Sequence, residues 1–119
     1  MQCRILLVED DPANRETMAL LLRQAGYRVD TAVDGAEALA HLAHGTLPCV
    51  IVLDLNMPRV DGWEVLRRRL GDPTLAAVPV VILSALGEAY HGELAALGVQ
   101  DVLQKPAAPE DLLAALRQY

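Results

Sequence analysis

The chain has 119 residues, of which 53% are hydrophobic, and its formal net charge is −6 at pH 7. This length favours a single domain spanning residues 1–119, with enough apolar side chains for a core. The acidic balance argues against direct binding to nucleic acid or to a membrane surface, and no apolar run is long enough to span a bilayer. The two cysteines, Cys3 and Cys49, lack metal-ligand spacing and predict buried, reduced thiols in a cytoplasmic protein.

Short apolar segments alternate with segments of helical periodicity along the whole chain. Five apolar runs predict buried strands: Cys3–Val8, Arg28–Ala32, Val50–Leu53, Val78–Leu83 and Val99–Leu103. Apolar residues at helical spacing, bounded by capping residues, glycine or proline, predict a helix after each strand. The predicted helices run from Pro12 to Gly26, Ala36 to Ala43, Trp63 to Leu70, Glu88 to Leu97 and Pro109 to Gln118.

This βα unit, repeated five times, predicts an α/β fold with a parallel sheet and helices on both faces. Right-handed crossovers bring the carboxyl ends of all strands to one edge of the sheet. In an open α/β sheet, ligands bind at that edge, where the strand order reverses. The residues that follow the strands are therefore the candidate functional residues.

Polar side chains follow four of the predicted strands. Glu9 and Asp10 follow the first, Asp54 the third, Ser84 the fourth and Lys105 the fifth. Converging carboxylates repel one another, and Mg²⁺ suits a site of one or two carboxylates plus waters. Together with the ammonium and the hydroxyl, this set forms a receptor for a phosphoryl group, which Asp54 would carry as an acyl phosphate. Taken alone, each residue also fits an ordinary loop or surface position.

Along its entire length, the sequence resembles the CheY-like receiver domains of two-component response regulators. The motifs that carry the resemblance are Val8-Glu9-Asp10-Asp11, Asp54 with Met57-Pro58 and Asp61-Gly62, Ser84-Ala85, and Lys105-Pro106. The resemblance implies a flavodoxin-like, doubly wound (βα)5 fold, whose five-stranded parallel sheet has the order 2-1-3-4-5.

The resemblance also implies the metal ligands. Asp10 would bind Mg²⁺ directly, and Glu9 would reach it through a water molecule. The Asp54 carboxylate and the backbone carbonyl of Asn56 would complete the protein's share of the ligands. Asp11 is assigned instead as the N-cap of the first helix, because Pro12 follows it.

For the phosphoryl group, the resemblance implies that Asp54 is the acceptor. Lys105 would pair with the phosphoryl group or with Asp54, and Ser84 would follow a phosphoryl oxygen. The donor would be a phosphohistidine of a histidine kinase or of a histidine phosphotransfer protein, in a two-component system or phosphorelay. The phosphorylated domain would then act on an output partner that the sequence does not identify.

The residues also leave open two alternatives to a phosphorylation switch. One is a Mg²⁺-dependent phosphatase with an aspartate nucleophile, which usually needs a second acid where this chain has Asn56. The other is a degenerate receiver that only docks, against which the intact Asp54, Ser84 and Lys105 argue. Turnover of an external substrate is therefore not expected.

Two local features complete the expectations. Val102 lies three residues before Lys105, where the family usually has a switch aromatic, so coupling to an output surface is expected to be weaker or differently built. The basic run Arg67–Arg69 predicts a solvated helix face.

Overall fold

The computed structural model describes residues 3–55, 62–84, 91–99, 101–104 and 108–119. Within these residues, five strands form one parallel sheet with the order β2-β1-β3-β4-β5. The strands are β1 (Arg4–Val8), β2 (Arg28–Ala32), β3 (Val50–Asp54), β4 (Val80–Ser84) and β5 (Asp101–Gln104). The helices are α1 (Pro12–Gln24), α2 (Gly35–His44), α3 (Gly62–Leu70), α4 (Pro73–Ala76), α5 (His91–Ala96) and α6 (Pro109–Leu116). The predicted fold class and strand order are confirmed.

The central strand, β3, is buried along its whole length. Its alternate residues enter two separate cores, since successive side chains of a strand point to opposite faces. Ile51 and Leu53 pack in a core with residues of α2, α3 and α5. Val50 and Val52 pack on the other face with residues of α1 and α6. The doubly wound arrangement thus explains why this strand is continuously apolar rather than alternating.

The short helix α4 was not predicted. Its start has the same Asp-Pro signature as α1, because the Asp72 side chain accepts a hydrogen bond from the Thr74 amide at 2.9 Å and Pro73 follows the cap. Pro73 also lies three residues after Leu70, the last residue of α3. Proline ends one helix and favours the first turn of another, and here it does both.

Strands β4 and β5 each begin two residues later than predicted. The amide of Val78 donates to the Leu75 carbonyl and closes the turn after α4. The amide of Val99 likewise donates to the Leu94 carbonyl at the end of α5. Both apolar residues therefore belong to helix ends rather than to the sheet.

The cysteines lie side by side at the amino end of the sheet, because β1 and β3 are neighbours. The Cys49 amide donates to the Arg4 carbonyl at 2.8 Å. Cys3 is half-buried, whereas Cys49 is exposed, so the prediction of two buried thiols is wrong for Cys49, which precedes β3. Burial, together with the neighbouring Cys49 thiol, raises the pKa of Cys3 to about 12.

None of the helices in the described part of the chain combines the length and apolar character that a bilayer crossing requires.

The expectation of a solvated basic face on α3 is wrong for its last arginine. Arg69 is only 3% exposed and donates to three main-chain carbonyls: Nε to Val78 at 2.8 Å, Nη2 to Ala76 at 3.1 Å and Nη1 to Leu97 at 3.2 Å. Helical spacing places Arg69 on the face of Val65 and Leu66, both buried. Burial lowers the pKa of the Arg69 guanidinium.

Arg67 and Arg68 behave as predicted and lie on the exposed face of α3. Both donate to the Glu64 carboxylate, Arg67 through Nη2 at 3.0 Å and Arg68 through Nε at 2.9 Å. Of the three arginines, only Arg69 ties α3 to the carbonyls that end α4 and α5.

We predict that Arg69→Leu lowers the free energy of unfolding by about 2–3 kcal/mol, because it leaves buried carbonyls without their donor. Arg68→Leu is the matched control and is expected to change stability by less than about 0.5 kcal/mol. Urea denaturation of the three proteins, followed by circular dichroism, measures both effects. Equal destabilisation by the two substitutions would contradict the assigned role of Arg69.

Candidate functional site

The site lies at the carboxyl ends of β1 and β3, which are neighbours in the sheet. In the β1–β3 pair, Val8 is in register with Leu53, so the residues that follow them emerge side by side. Those residues are Glu9 and Asp54. The Glu9 amide, directly after β1, donates to the Ala32 carbonyl of β2 at 3.1 Å. This is the last hydrogen bond between the first strand segment and β2. The buried sheet therefore fixes the positions of both acids.

Three carboxylates gather at this edge. One carboxylate oxygen each of Glu9, Asp10 and Asp54 lies within 4.8 Å of the other two. Glu9 is 2% exposed and Asp54 is 3% exposed, while Asp10 is half-buried. Like charges this close in partly desolvated surroundings are costly unless a cation lies among them. Hard oxygen ligands of this kind suit Mg²⁺.

The acidic pair Glu9-Asp10 lies in a short turn between β1 and α1. The Asp10 amide donates to Oε2 of Glu9 at 3.1 Å. Asp11 is the N-cap of α1, and its side chain accepts from the Ala13 amide, as the sequence predicted. The third consecutive acid therefore stabilises the helix and is not a member of the three-carboxylate group.

Sequence reasoning missed one residue that contacts this turn. Arg15, in the second turn of α1, donates through Nη1 to the carbonyls of Glu9 at 3.0 Å and Asp10 at 3.4 Å. Its position, six residues after Glu9 and one helical turn past the cap, is the available sequence signal. An arginine there is close enough to reach back to the start of its own helix.

Gly62, at the start of α3, lies against the end of β3. A Cβ atom at this position would lie 2.9 Å from the Asp54 carbonyl oxygen and 2.9 Å from Cα of Leu55. Both neighbours are backbone atoms, which have little freedom to move aside. Glycine thus permits the close approach of α3 to the strand that carries Asp54.

The remaining predicted site residues fall partly outside the described residues. Ser84 is the last residue of β4 and is in register with Gln104, so its backbone lies at the same edge of the sheet. Lys105, which follows Gln104, and Asn56 lie outside the described residues, as do Met57-Pro58, Asp61, Ala85 and Pro106.

Val102 lies in β5, in register with Ile82 of β4. It is half-buried and packs against the core formed with α2, α3 and α5. The position where the resemblance leads one to expect a switch aromatic is therefore filled by an aliphatic core residue.

A doubly wound sheet of order 2-1-3-4-5 with an acid cluster beside its central strand defines a receiver-like class of α/β domain. Comparison with known proteins agrees, because the response regulator receiver domain family matches residues 5–117. The chain belongs to this family.

Individual relatives agree with the family assignment. The response regulator MprA of Mycobacterium tuberculosis is 43% identical over 119 residues, which cover 98% of this chain and 50% of MprA. The chain thus spans about half the length of this curated relative. The chemotaxis response regulator CheY4 of Vibrio cholerae superimposes with a TM-score of 0.91 at 32% identity, covering 99% of this chain and 98% of CheY4.

A second similar structure is the receiver domain of a sensor histidine kinase from Pseudomonas aeruginosa. It has a TM-score of 0.88 and 28% identity, with 100% of this chain and 98% of that chain covered. That structure contains a magnesium ion coordinated in its active site cleft.

The repulsion within the acid cluster yields a stability prediction. In buffer with a chelator, Asp10→Asn is expected to raise the free energy of unfolding by about 1 kcal/mol, because it removes one of three neighbouring negative charges. Glu16→Gln, an equal charge change on the exposed face of α1, is expected to have an effect below about 0.5 kcal/mol. Urea denaturation at fixed ionic strength measures both. A destabilised Asp10→Asn protein would show that repulsion does not dominate.

Proposed function

We propose that residues 1–119 form a single receiver domain that acts as a phosphorylation-dependent switch in a two-component system or phosphorelay. Asp54 accepts the phosphoryl group, and Glu9, Asp10, Asp54 and the carbonyl of Asn56 hold Mg²⁺. One observation carries the proposal: three carboxylate oxygens lie within 4.8 Å of one another at the carboxyl end of the buried central strands. Membership of the receiver family supports it.

In the proposed reaction, an oxygen of the Asp54 carboxylate attacks the phosphorus of a phosphohistidine on a histidine kinase or phosphotransfer protein. The new O–P bond forms as the P–N bond breaks, and the electron pair returns to the imidazole. Mg²⁺, when bound, neutralises charge on the transferred group. The domain contributes mainly positioning, since phosphoryl transfer needs little covalent help from the protein.

Burial of β3 supports the role of Asp54 as the acceptor, because it fixes the position of the carboxylate. The carboxylate closes a strand that is covered on both faces, so its position is set by the sheet rather than by a loop. Lys105 would offset charge on the phosphoryl oxygens, and Ser84 would donate a hydrogen bond to one of them. Ser84 ends β4, the strand adjacent to β3, which supports its assignment.

The residues that follow Asp54 disfavour the alternative of a phosphatase that acts on an external substrate. Such an enzyme usually needs a second acid two residues after the nucleophile, where this chain has Asn56. Receiver domains of response regulators are in general not metabolic enzymes. We therefore propose that the only turnover is loss of the phosphoryl group from Asp54 to water.

The proposed partners are a histidine phosphodonor protein and an output partner, without direct contact of this domain with nucleic acid or membrane. The net charge of −6 supports the last point. A cytoplasmic location follows from the proposed donor. With the half-buried Val102 packed against the core, the signal to the output partner would pass without a rotating aromatic at that position.

Incubation with acetyl phosphate tests the proposal. Intact mass spectrometry is expected to show the gain of one phosphoryl group with Mg²⁺ and none with a chelator, because the metal offsets charge on the transferred group. Asp54→Asn is expected to abolish the adduct. Asp111→Asn, the same change at an exposed position of α6, is expected to leave it intact. An adduct that persists in Asp54→Asn would overturn the assignment of the acceptor.

A further inference from the structure

Arg15 holds the backbone that carries Glu9 and Asp10, two of the three acids in the cluster. Its Nη1 atom contacts the carbonyl oxygens of Glu9 at 3.0 Å and Asp10 at 3.4 Å. The side chain is half-buried, and it starts from a helix that Asp11 caps and whose Leu22 packs in the core. A guanidinium anchored on a packed helix thus fixes two successive peptide groups.

These two peptide groups are where the sheet ceases to hold the chain. The Glu9 amide makes the last bond to β2, and the helix begins at Pro12. Between these points, the orientation of each carbonyl sets the direction of the neighbouring Cα–Cβ bonds, and hence where the Glu9 and Asp10 carboxylates point. Loss of a group that orients metal ligands typically costs about 10- to 100-fold in metal affinity or activity.

The chemistry of the contact also matters. Within the described residues, the Arg15 side chain donates to main-chain carbonyls and not to a carboxylate oxygen. A cation close to an acid cluster would ordinarily compete with a metal for carboxylate oxygens. Arg15 instead directs its donor to the backbone, so it orders the acidic pair without occupying the oxygens that a metal requires.

We propose that Arg15 is a positioning residue for divalent-cation binding, acting through the main chain of Glu9 and Asp10. This role rests on the proposed function, because it assigns the three carboxylates as a Mg²⁺ site. A positioning role and a purely electrostatic role predict opposite changes in Mg²⁺ affinity when Arg15 is replaced. Loss of a nearby positive charge should tighten Mg²⁺ binding, whereas loss of a positioning contact should weaken it.

The test compares Mg²⁺ dissociation constants by isothermal titration calorimetry at fixed ionic strength. Arg15→Met is expected to bind Mg²⁺ about 10-fold more weakly than the wild type. Arg15→Lys retains a donor on a shorter side chain and is expected to lie between the two. Arg23→Met is the matched control, because Arg23 lies on the same helix and donates to the Val29 carbonyl at 2.9 Å, away from the cluster. Its Mg²⁺ affinity should equal that of the wild type.

Unfolding midpoints in chelator separate positioning from a general loss of structure. If Arg15→Met does not fold, Arg15→Gln, which is also neutral and too short to bridge both carbonyls, takes its place with the same expected loss. Unchanged or tighter Mg²⁺ binding in the folded neutral variant overturns the role of Arg15 while leaving the proposed function intact. Absence of Mg²⁺ binding by the wild type overturns both.

Discussion

The burial of β3 on both faces is the constraint on which the rest of the molecule depends. A strand in the middle of a parallel sheet, covered by helices on each side, favours apolar residues, and β3 is apolar from Val50 to Leu53. Asp54 ends this strand, and Glu9 directly follows the neighbouring strand β1, because Val8 is in register with Leu53. The same packing that makes the core stable thus forces negative charges together, and under the proposed function a bound cation would relieve this unfavourable contact.

Helix α3 connects the site to the more distant parts of the fold. At its first residue, Gly62 allows the helix backbone to approach the end of β3. At its last turn, Arg69 bonds to carbonyls at the ends of α4 and α5. A displacement at the carboxyl edge of β3 therefore meets a helix whose far end is tied to the carboxyl end of α5. Two arginines act through main-chain carbonyls. Arg15 of α1 does so beside the acid cluster, and Arg69 does so at the end of α3 away from the site.

The sequence predicted the strands well, because β-branched apolar runs and Gly or Pro boundaries are local signals of a buried parallel sheet, whereas the strand order was implied by the resemblance to receiver domains. It also predicted that Glu9, Asp10 and Asp54 lie at one edge of the sheet, because parallel topology alone places the carboxyl ends of all strands there. It failed where a residue depends on its three-dimensional neighbours. Arg69 looks like part of a solvated basic run, and only the helical phase shared with Val65 and Leu66 places it inside. Val78 and Val99 look like strand residues, but each closes a helix end. Arg15 was missed because its partners are backbone carbonyls, so the sequence signals this contact only through the position of Arg15 one helical turn past the cap of α1.

The most direct test of the proposed switch is to locate the phosphoryl group chemically. After reaction with acetyl phosphate and Mg²⁺, sodium borohydride reduces an aspartyl phosphate to homoserine, and peptide mass spectrometry identifies the position. Phosphorylation of Asp54 predicts homoserine at position 54 and at no other aspartate, with none formed when the metal is chelated. Homoserine at position 10, or a phosphorylated protein in which position 54 remains aspartate, would contradict it.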